Sequence, residues 1–306
     1  MNSSKDTLWS NVHQASKIYL LPNFFTAGNL FFGFLSMVLC VRGRFDAIAN
    51  SAVDKIAQVL TPIVGVTEDP STSYYLLSIL CILMSVFCDA LDGRVARAVG
   101  KSSLFGKEFD SIADVVSFGV APALLMIFII LRPVSELPDS VQSFMRGSGF
   151  FVAFVFLLCA AVRLSRFNVL TCPYIAGHEK YEHGDFCGMP APAAAGVVAS
   201  ISLTLLTLNM KSYVLLLIPL MLLIAWFMVS NIPYPSFKHI TWTTSTRFRT
   251  FIILVACALL VIYFKEYSFS IIFLAYAFYA PIKYLPRAIH IVRYARKRRL
   301  SRKVRA

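Results

Sequence analysis

DALDGRVARAVGKSSLFGKEFDSIAD, residues 89–114, carries four aspartates, Asp89, Asp92, Asp110 and Asp114, and long apolar runs flank it on both sides. Ionisable groups in such a setting are costly and mark function. If both flanks are helical, Asp89 and Asp92 (i, i+3) share one face, and Asp110 and Asp114 (i, i+4) share a face of the next helix. Four carboxylates then point into one space. Ionised and close together they repel, so stable ionisation needs cations. Oxygen-only ligands select hard divalent ions, and Mg²⁺ is held by a few carboxylates together with substrate phosphates. Gly93 and Ala96 lie within about one turn of the first pair, where a bulky side chain would keep a nucleotide from the helix backbone.

Outward from this stretch the chain stays apolar. Of its 306 residues, 58% are hydrophobic, with mean hydropathy +0.69, against about 45–50% apolar in soluble domains. The fold class is therefore an all-α polytopic membrane protein. A crossing takes about 20 mostly apolar residues, which predicts eight of them, near 21–41, 74–97, 104–131, 149–169, 190–208, 212–230, 250–265 and 269–285. Residues 1–21 lack an apolar stretch followed by a cleavage site, so the first apolar segment is expected to remain. Before it, Leu8, Val12, Ala15 and Tyr19 fall at helical spacing, as in an interfacial helix. Residues 45–63 read as a second surface helix, with Phe45, Ile48, Ala52, Ile56 and Val59 on one face and Asp46, Asp54 and Lys55 opposite.

The net charge is +13. No nucleic-acid recognition motif accompanies it, and its basic residues cluster between and after the apolar runs, which points to anionic lipid head groups. With the N-terminus in the cytosol, that side collects Lys5, Lys17, Arg94, Arg97, Lys101, Lys107, Arg163, Arg166, Lys180, Lys238, Arg247, Arg249 and the tail. The far side holds only Arg42, Arg44, Lys55, Arg132, Arg146, Lys211 and Lys265. The asymmetry predicts both termini, and the aspartates, on the cytosolic side. The tail's basic residues, from Lys283 to Arg305, serve as a topology anchor or hold anionic lipid nearby. The seven cysteines (Cys40, Cys81, Cys88, Cys159, Cys172, Cys187 and Cys257) form no C-x-x-C pair and no zinc spacing, and read as reduced packing residues.

Other polar groups gather on the same side. Asn23, Thr26 and Asn29 (i, i+3, i+6) share one side of the first crossing, either as cap and back-bonded hydroxyl or as ligand contacts. Arg163 and Arg166 (i, i+3) either grip a carboxylate or phosphate through charge-assisted bonds or simply anchor a cytosolic helix end. His178 and His183, beside Glu179 and Glu182, lack the H-E-x-x-H spacing of a zinc hydrolase and read as a solvated loop.

The pattern D-x-x-D-G-x-x-A-R, eight residues, then G-x-x-x-D-x-x-x-D resembles the signature of the CDP-alcohol phosphotransferase family, with every motif position filled. LPNFFTAGNLFFG, LDGRVAR, FGKEFDSIADVVSFGVAPA, RLSRFNV, FCGMPAPAAAG and YPSFK are similar to segments of its bacterial and archaeal phosphatidylserine-forming members. The resemblance covers about Pro22 to Lys238. It implies a six-helix catalytic domain at 22–238, interrupted by an extracytosolic insertion at 45–73. Around it lie a juxtamembrane segment at 1–21, two further crossings at 239–285 and a basic tail at 286–306.

The resemblance also implies chemistry: transfer of the phosphatidyl group of CDP-diacylglycerol to the hydroxyl of L-serine, giving phosphatidylserine and CMP. By the same resemblance Asp89, Asp92, Asp110 and Asp114 hold Mg²⁺ or Mn²⁺, two ions in all, and Asp114 is the general base. The resemblance also assigns Asn23, Thr26, Gly93, Ala96, Arg97 and Ser103 to the CDP-diacylglycerol site and implies a homodimer, expected in the bacterial cytoplasmic membrane, while Arg163 and Arg166 are the candidates for the serine carboxylate. Two readings compete. A sibling enzyme would use choline, glycerol phosphate or inositol phosphate, with a cage or a denser cationic pocket to match. A cation transporter would show matching halves, and residues 150–306 hold no second copy of the aspartate motif.

Overall fold

In hydrocarbon every backbone N–H and C=O must be satisfied within its own segment, so the apolar runs have to become helices. The computed structural model describes residues 20–45, 70–99, 104–132, 138–170, 186–208, 211–234, 263 and 267–284. In chain order these form α1 (Leu20–Phe45), α2 (Pro70–Val99), α3 (Leu104–Asp114), a π-helical turn (Val115–Val120), α4 (Ala121–Ile130), α5 (Asp139–Leu170), strand β1 (Phe186–Cys187) and α6 (Ala191–Thr207). A 3₁₀ turn (Lys211–Leu216), α7 (Leu217–Val229), strand β2 (Pro233–Tyr234) and α8 (residues 267–284) follow. Among the described residues, four helical spans, Asn23–Phe45, Ser71–Val95, Phe105–Ile130 and Asp139–Val169, are long and apolar enough to cross a membrane, and two shorter apolar helices accompany them. This is an all-α membrane protein. The predicted helix at 8–19, most of the surface helix at 45–63, the crossing at 250–265 apart from Tyr263, the His178–His183 loop and the basic tail lie outside the described residues.

α5 begins at Asp139, ten residues before the predicted crossing. Its first turns, DSVQSFMRGS, are more polar than the rest of the helix, yet Met145 is buried, as are Val152, Phe156 and Ala160 further along. The helix enters amphipathic and becomes apolar midway.

The third span is continuous but changes its winding after Asp114. The Ala121 N–H reaches back five residues to the Val116 carbonyl, immediately before Pro122, which has no N–H to donate. A proline inside a helix removes one i→i−4 bond and crowds the preceding turn, and a wider π turn absorbs that misfit. The turn also puts Ser117 against α1, where its hydroxyl donates to the Asn29 carbonyl at 2.9 Å. A Cβ on Gly33 would overlap the Ser117 hydroxyl and lie 2.8 Å from its Cα, so α1 and the third span approach backbone to backbone. Gly33→Ala should therefore destabilise the fold by about 1–3 kcal/mol of overpacking strain, read as a lower Tm in detergent. An unchanged Tm would mean that the two helices separate freely.

The core sits where α2, the third span, α5 and α7 surround α6, whose Ala191, Ala194, Ala195, Val197, Val198 and Ala199 are fully buried. Small residues suit a helix enclosed on nearly every side. Large exposed side chains such as Phe31, Phe34, Phe87, Phe150, Phe154 and Trp226 cover the outer surface, where lipid would solvate them. β1 and β2 pair antiparallel, Phe186 opposite Tyr234 and Cys187 opposite Pro233. Gly188 follows at φ 83°, a conformation that L side chains rarely adopt, and its N–H donates to Ile232 O at 3.0 Å. Met189 N–H donates to Phe227 O at 3.1 Å. This ribbon ties the start of α6 to the end of α7.

Candidate active site

α2 ends and α3 begins at the end of the bundle where α1 starts, which brings the four aspartates to the first turns of α1. Carboxylate oxygens of Asp89, Asp110 and Asp114 lie within 4.8 Å of one another. Asp92 stands beside them, its carboxyl adjoining that of Asp110. The two aspartate pairs thus share a face on each helix, as i, i+3 and i, i+4 spacing requires.

α1 supplies the holders. The Thr26 hydroxyl donates to Asp92 Oδ2, and Asn29 Nδ2 donates to Asp114 Oδ1 at 3.1 Å. Asn29 is itself fixed: the Ser85 hydroxyl donates to its Oδ1, which leaves its NH₂ turned to Asp114, and Ser117 holds its backbone carbonyl. Asn23 is half-buried near the start of α1, and its buried Nδ2 lacks a partner among the described residues. Of the three polar positions on α1, two bind aspartates and the third has a donor to spare. Thr26 and Asn29 thus both reach aspartates of neighbouring helices.

α5 brings the cation. Arg163 is only 8% exposed and interacts electrostatically with Asp114 and Asp89, and with Tyr276 of α8. Its guanidinium also lies 5.5 Å from the centre of the Phe167 ring. Arg166 points elsewhere, donating to Asn231 Oδ1 at 2.7 Å and to the Val229 carbonyl at 3.4 Å, so the two arginines do not act as a matched pair here. Asn168 donates to the Ser111 hydroxyl at 2.7 Å, which donates to the Lys107 carbonyl at 3.0 Å. That chain ties the end of α5 to α3 next to Asp110. Gly93 follows Asp92 on α2, and Ala96 and Arg97 continue that helix. Ser103 lies outside the described residues.

Among the described residues, one buried cation stands against these carboxylates and cannot neutralise them all. Asp110 Oδ1 is buried without a hydrogen-bond partner among the described residues, and an orphaned buried acceptor of this kind is costly. An oxygen-only cluster with an unsatisfied lone pair fits a hard divalent ion. Asp89, Asp110 and Asp114 can hold one, with Asp92 adjoining.

A family profile described as CDP-alcohol phosphatidyltransferase matches residues 19–229, more than half of the chain and all of the aspartate site. The chain belongs to the CDP-alcohol phosphatidyltransferase family. Among curated relatives, a CDP-diacylglycerol--serine O-phosphatidyltransferase of Helicobacter pylori is 29% identical over 284 residues, 90% of this chain and 95% of its own. The protein of the same description from Methanocaldococcus jannaschii is 33% identical over 204 residues, 67% of this chain and 82% of its own. An archaetidylserine synthase of Methanothermobacter thermautotrophicus is 37% identical over 163 residues, 52% and 59% of the two chains. The family match contains α1 to α7 and stops before β2 and α8.

Ser85, Ser117, Ser111, Asn168 and Tyr276 are residues of the site region that sequence reading passes over. Single serines in apolar helices carry no local signal. Asn168 stands in RLSRFNV, and only the family resemblance draws attention to that segment.

Proposed function

We propose that this protein transfers the phosphatidyl group of CDP-diacylglycerol to the hydroxyl of L-serine, releasing CMP. The observation that carries this reading is the convergence of Asp89, Asp110 and Asp114 beside Arg163. The end-to-end similarity to a serine transferase supports it. In this mechanism the serine oxygen attacks the phosphorus that bears the diacylglycerol, the bond from that phosphorus to the CMP oxygen breaks, and CMP leaves. The serine hydroxyl proton passes to Asp114. A carboxylate is a weak base for an alcohol, so the proton moves as the new bond forms, and Asn29 orients Asp114 for it by occupying Oδ1.

Asp89, Asp92, Asp110 and Asp114 would hold the divalent ions, two Mg²⁺ or Mn²⁺ in our reading, which would supply charge neutralisation at the pyrophosphate. Asn23 offers the nucleotide its amide donor, unpaired among the described residues, and Thr26, Gly93 and Ala96 are assigned to the same ligand. The family resemblance assigns Arg97 and Ser103 to the same ligand. Arg163 takes the acceptor carboxylate through its planar fork. Arg166, engaged with Asn231, supports that end of α5 in addition to any contact with serine. Six helices form the catalytic domain at 22–238, and eight cross the membrane in all. The same reading makes the protein a homodimer of the cytoplasmic membrane with both termini and the site facing the cytosol.

The test is CMP release from CDP-diacylglycerol by purified protein with serine, choline, glycerol 3-phosphate or inositol phosphate. Serine alone should support turnover above the background without acceptor. Turnover with another acceptor only would retain the chemistry and discard serine, and none with any acceptor would discard the transferase reading.

A further inference from the structure

α8 lies beyond the family match, and the mechanism so far gives it nothing to do. Its packing nevertheless fixes which side looks inward. The Ser270 hydroxyl donates to the Ser200 carbonyl at 2.7 Å and lies 2.7 Å from the Thr204 hydroxyl. One turn on, the Phe273 ring fills the space where Gly196 lacks a Cβ. A further turn on, the Ala277 carbonyl accepts from the Tyr234 hydroxyl at 3.0 Å. Burial pushes the Tyr234 phenol above its ordinary pKa and keeps it a neutral donor. Phe278 meets Phe227 of α7 edge-on, ring centres 5.8 Å apart. Positions 270, 273 and 277 make one helical stripe, so α8 is fixed in rotation and height against α6, α7 and β2.

Tyr276 borders that stripe. Its ring lies 5.8 Å from that of Tyr234, tilted at 44°, and its phenol interacts electrostatically with Arg163. A helix outside the family match therefore brings a polar ring within electrostatic range of Arg163, the arginine that among the described residues is buried beside the aspartates. We propose that Tyr276 is an acceptor-binding residue: its phenol oxygen accepts from the Arg163 guanidinium, and its O–H donates to the carboxylate of the incoming amino acid. The inference rests on the reading of L-serine as acceptor and extends it to α8. A neutral phenol suits the place. A second cation there would be drawn to the aspartates and compete with the divalent ions, whereas a hydroxyl adds a donor without charge.

The experiment compares full-length wild type, Tyr276→Phe, Tyr276→His and Arg163→Lys for KM and kcat with L-serine, and with ethanolamine, which lacks the carboxylate. Tyr276→Phe keeps the ring on Tyr234 and should raise the serine KM about tenfold, the scale of one lost hydrogen bond to a charged group. The KM for CDP-diacylglycerol and the kcat should stay within about twofold, and the preference for serine over ethanolamine should fall by the same factor as the serine KM rises. Tyr276→His, which retains a donor, should recover part of the serine KM and serves if the phenylalanine variant does not fold. Equal losses with both acceptors would reduce Tyr276 to a packing residue and overturn the proposal. A serine defect in Arg163→Lys with none in Tyr276→Phe would also overturn it while leaving the acceptor reading in place. A wild type that ignores serine would take both down.

Discussion

Asp114→Asn should lower kcat for serine-dependent CMP release by roughly 10³- to 10⁴-fold, the range expected when a positioned general base is lost, while the protein folds and still binds CDP-diacylglycerol. The geometry explains why so small a change should cost so much. Asp114 is only 7% exposed, and Asn29 occupies its Oδ1, which leaves the other oxygen for the acceptor's proton. Asparagine has the same shape and can still accept from Asn29, so the α1–α3 contact survives. It cannot take a proton at neutral pH, and as a neutral group it weakens the divalent site as well. Measuring kcat, substrate affinity and Tm together separates these effects. Retention of more than about a tenth of wild-type kcat would remove Asp114 from proton transfer and leave it as a ligand only.

The aspartates were legible because spacing alone constrains them. Intervals of three and four residues place each pair on one helix face whatever the rest of the chain does, and the structure brings both pairs together. Thr26 and Asn29 were half legible: their interval puts them on one side of α1, but their partners, Asp92 and Asp114, are 66 and 85 residues away. Ser85 and Ser117 were not legible, since an isolated serine in an apolar helix more often bonds its own preceding turn. Their role depends on α1 lying directly against α2 and the third span. The π turn was hidden for a related reason. Pro122 announces a local misfit, but proline can be absorbed by a kink or a widened turn, and packing against Gly33 and Asn29 accompanies the second. Tyr276 was the least visible, one tyrosine in an apolar run beyond every recognised motif. Its position depends on how α8 meets α6 and Tyr234, and no periodicity of its own sequence contains that.

The divalent ion carries the other large effect. Two like charges 4 Å apart repel by about 4 kcal/mol at an effective dielectric of 20, and here three carboxylate oxygens lie within 4.8 Å of one another with Asp92 beside them. Arg163 supplies a single positive charge against them, and the Asp110 Oδ1 lone pairs face no donor among the described residues. Excess chelator should therefore lower turnover by at least about 10³-fold, equivalent to some 4 kcal/mol of barrier. Re-addition of Mg²⁺ or Mn²⁺ should restore it, and Ca²⁺, with its longer and looser coordination, should restore it poorly. A readout independent of catalysis follows from mass action, because an ion that binds only the folded state raises Tm with its concentration. The wild-type Tm should rise on adding Mg²⁺ or Mn²⁺ to chelated protein. Asp110→Asn should shrink that rise, and should itself raise the Tm of the metal-free protein by relieving the repulsion. If turnover survives in excess chelator, or if Asp110→Asn leaves the metal-dependent rise in Tm intact, the aspartates do not form the divalent site, and among the described residues Arg163 is left as their counter-charge.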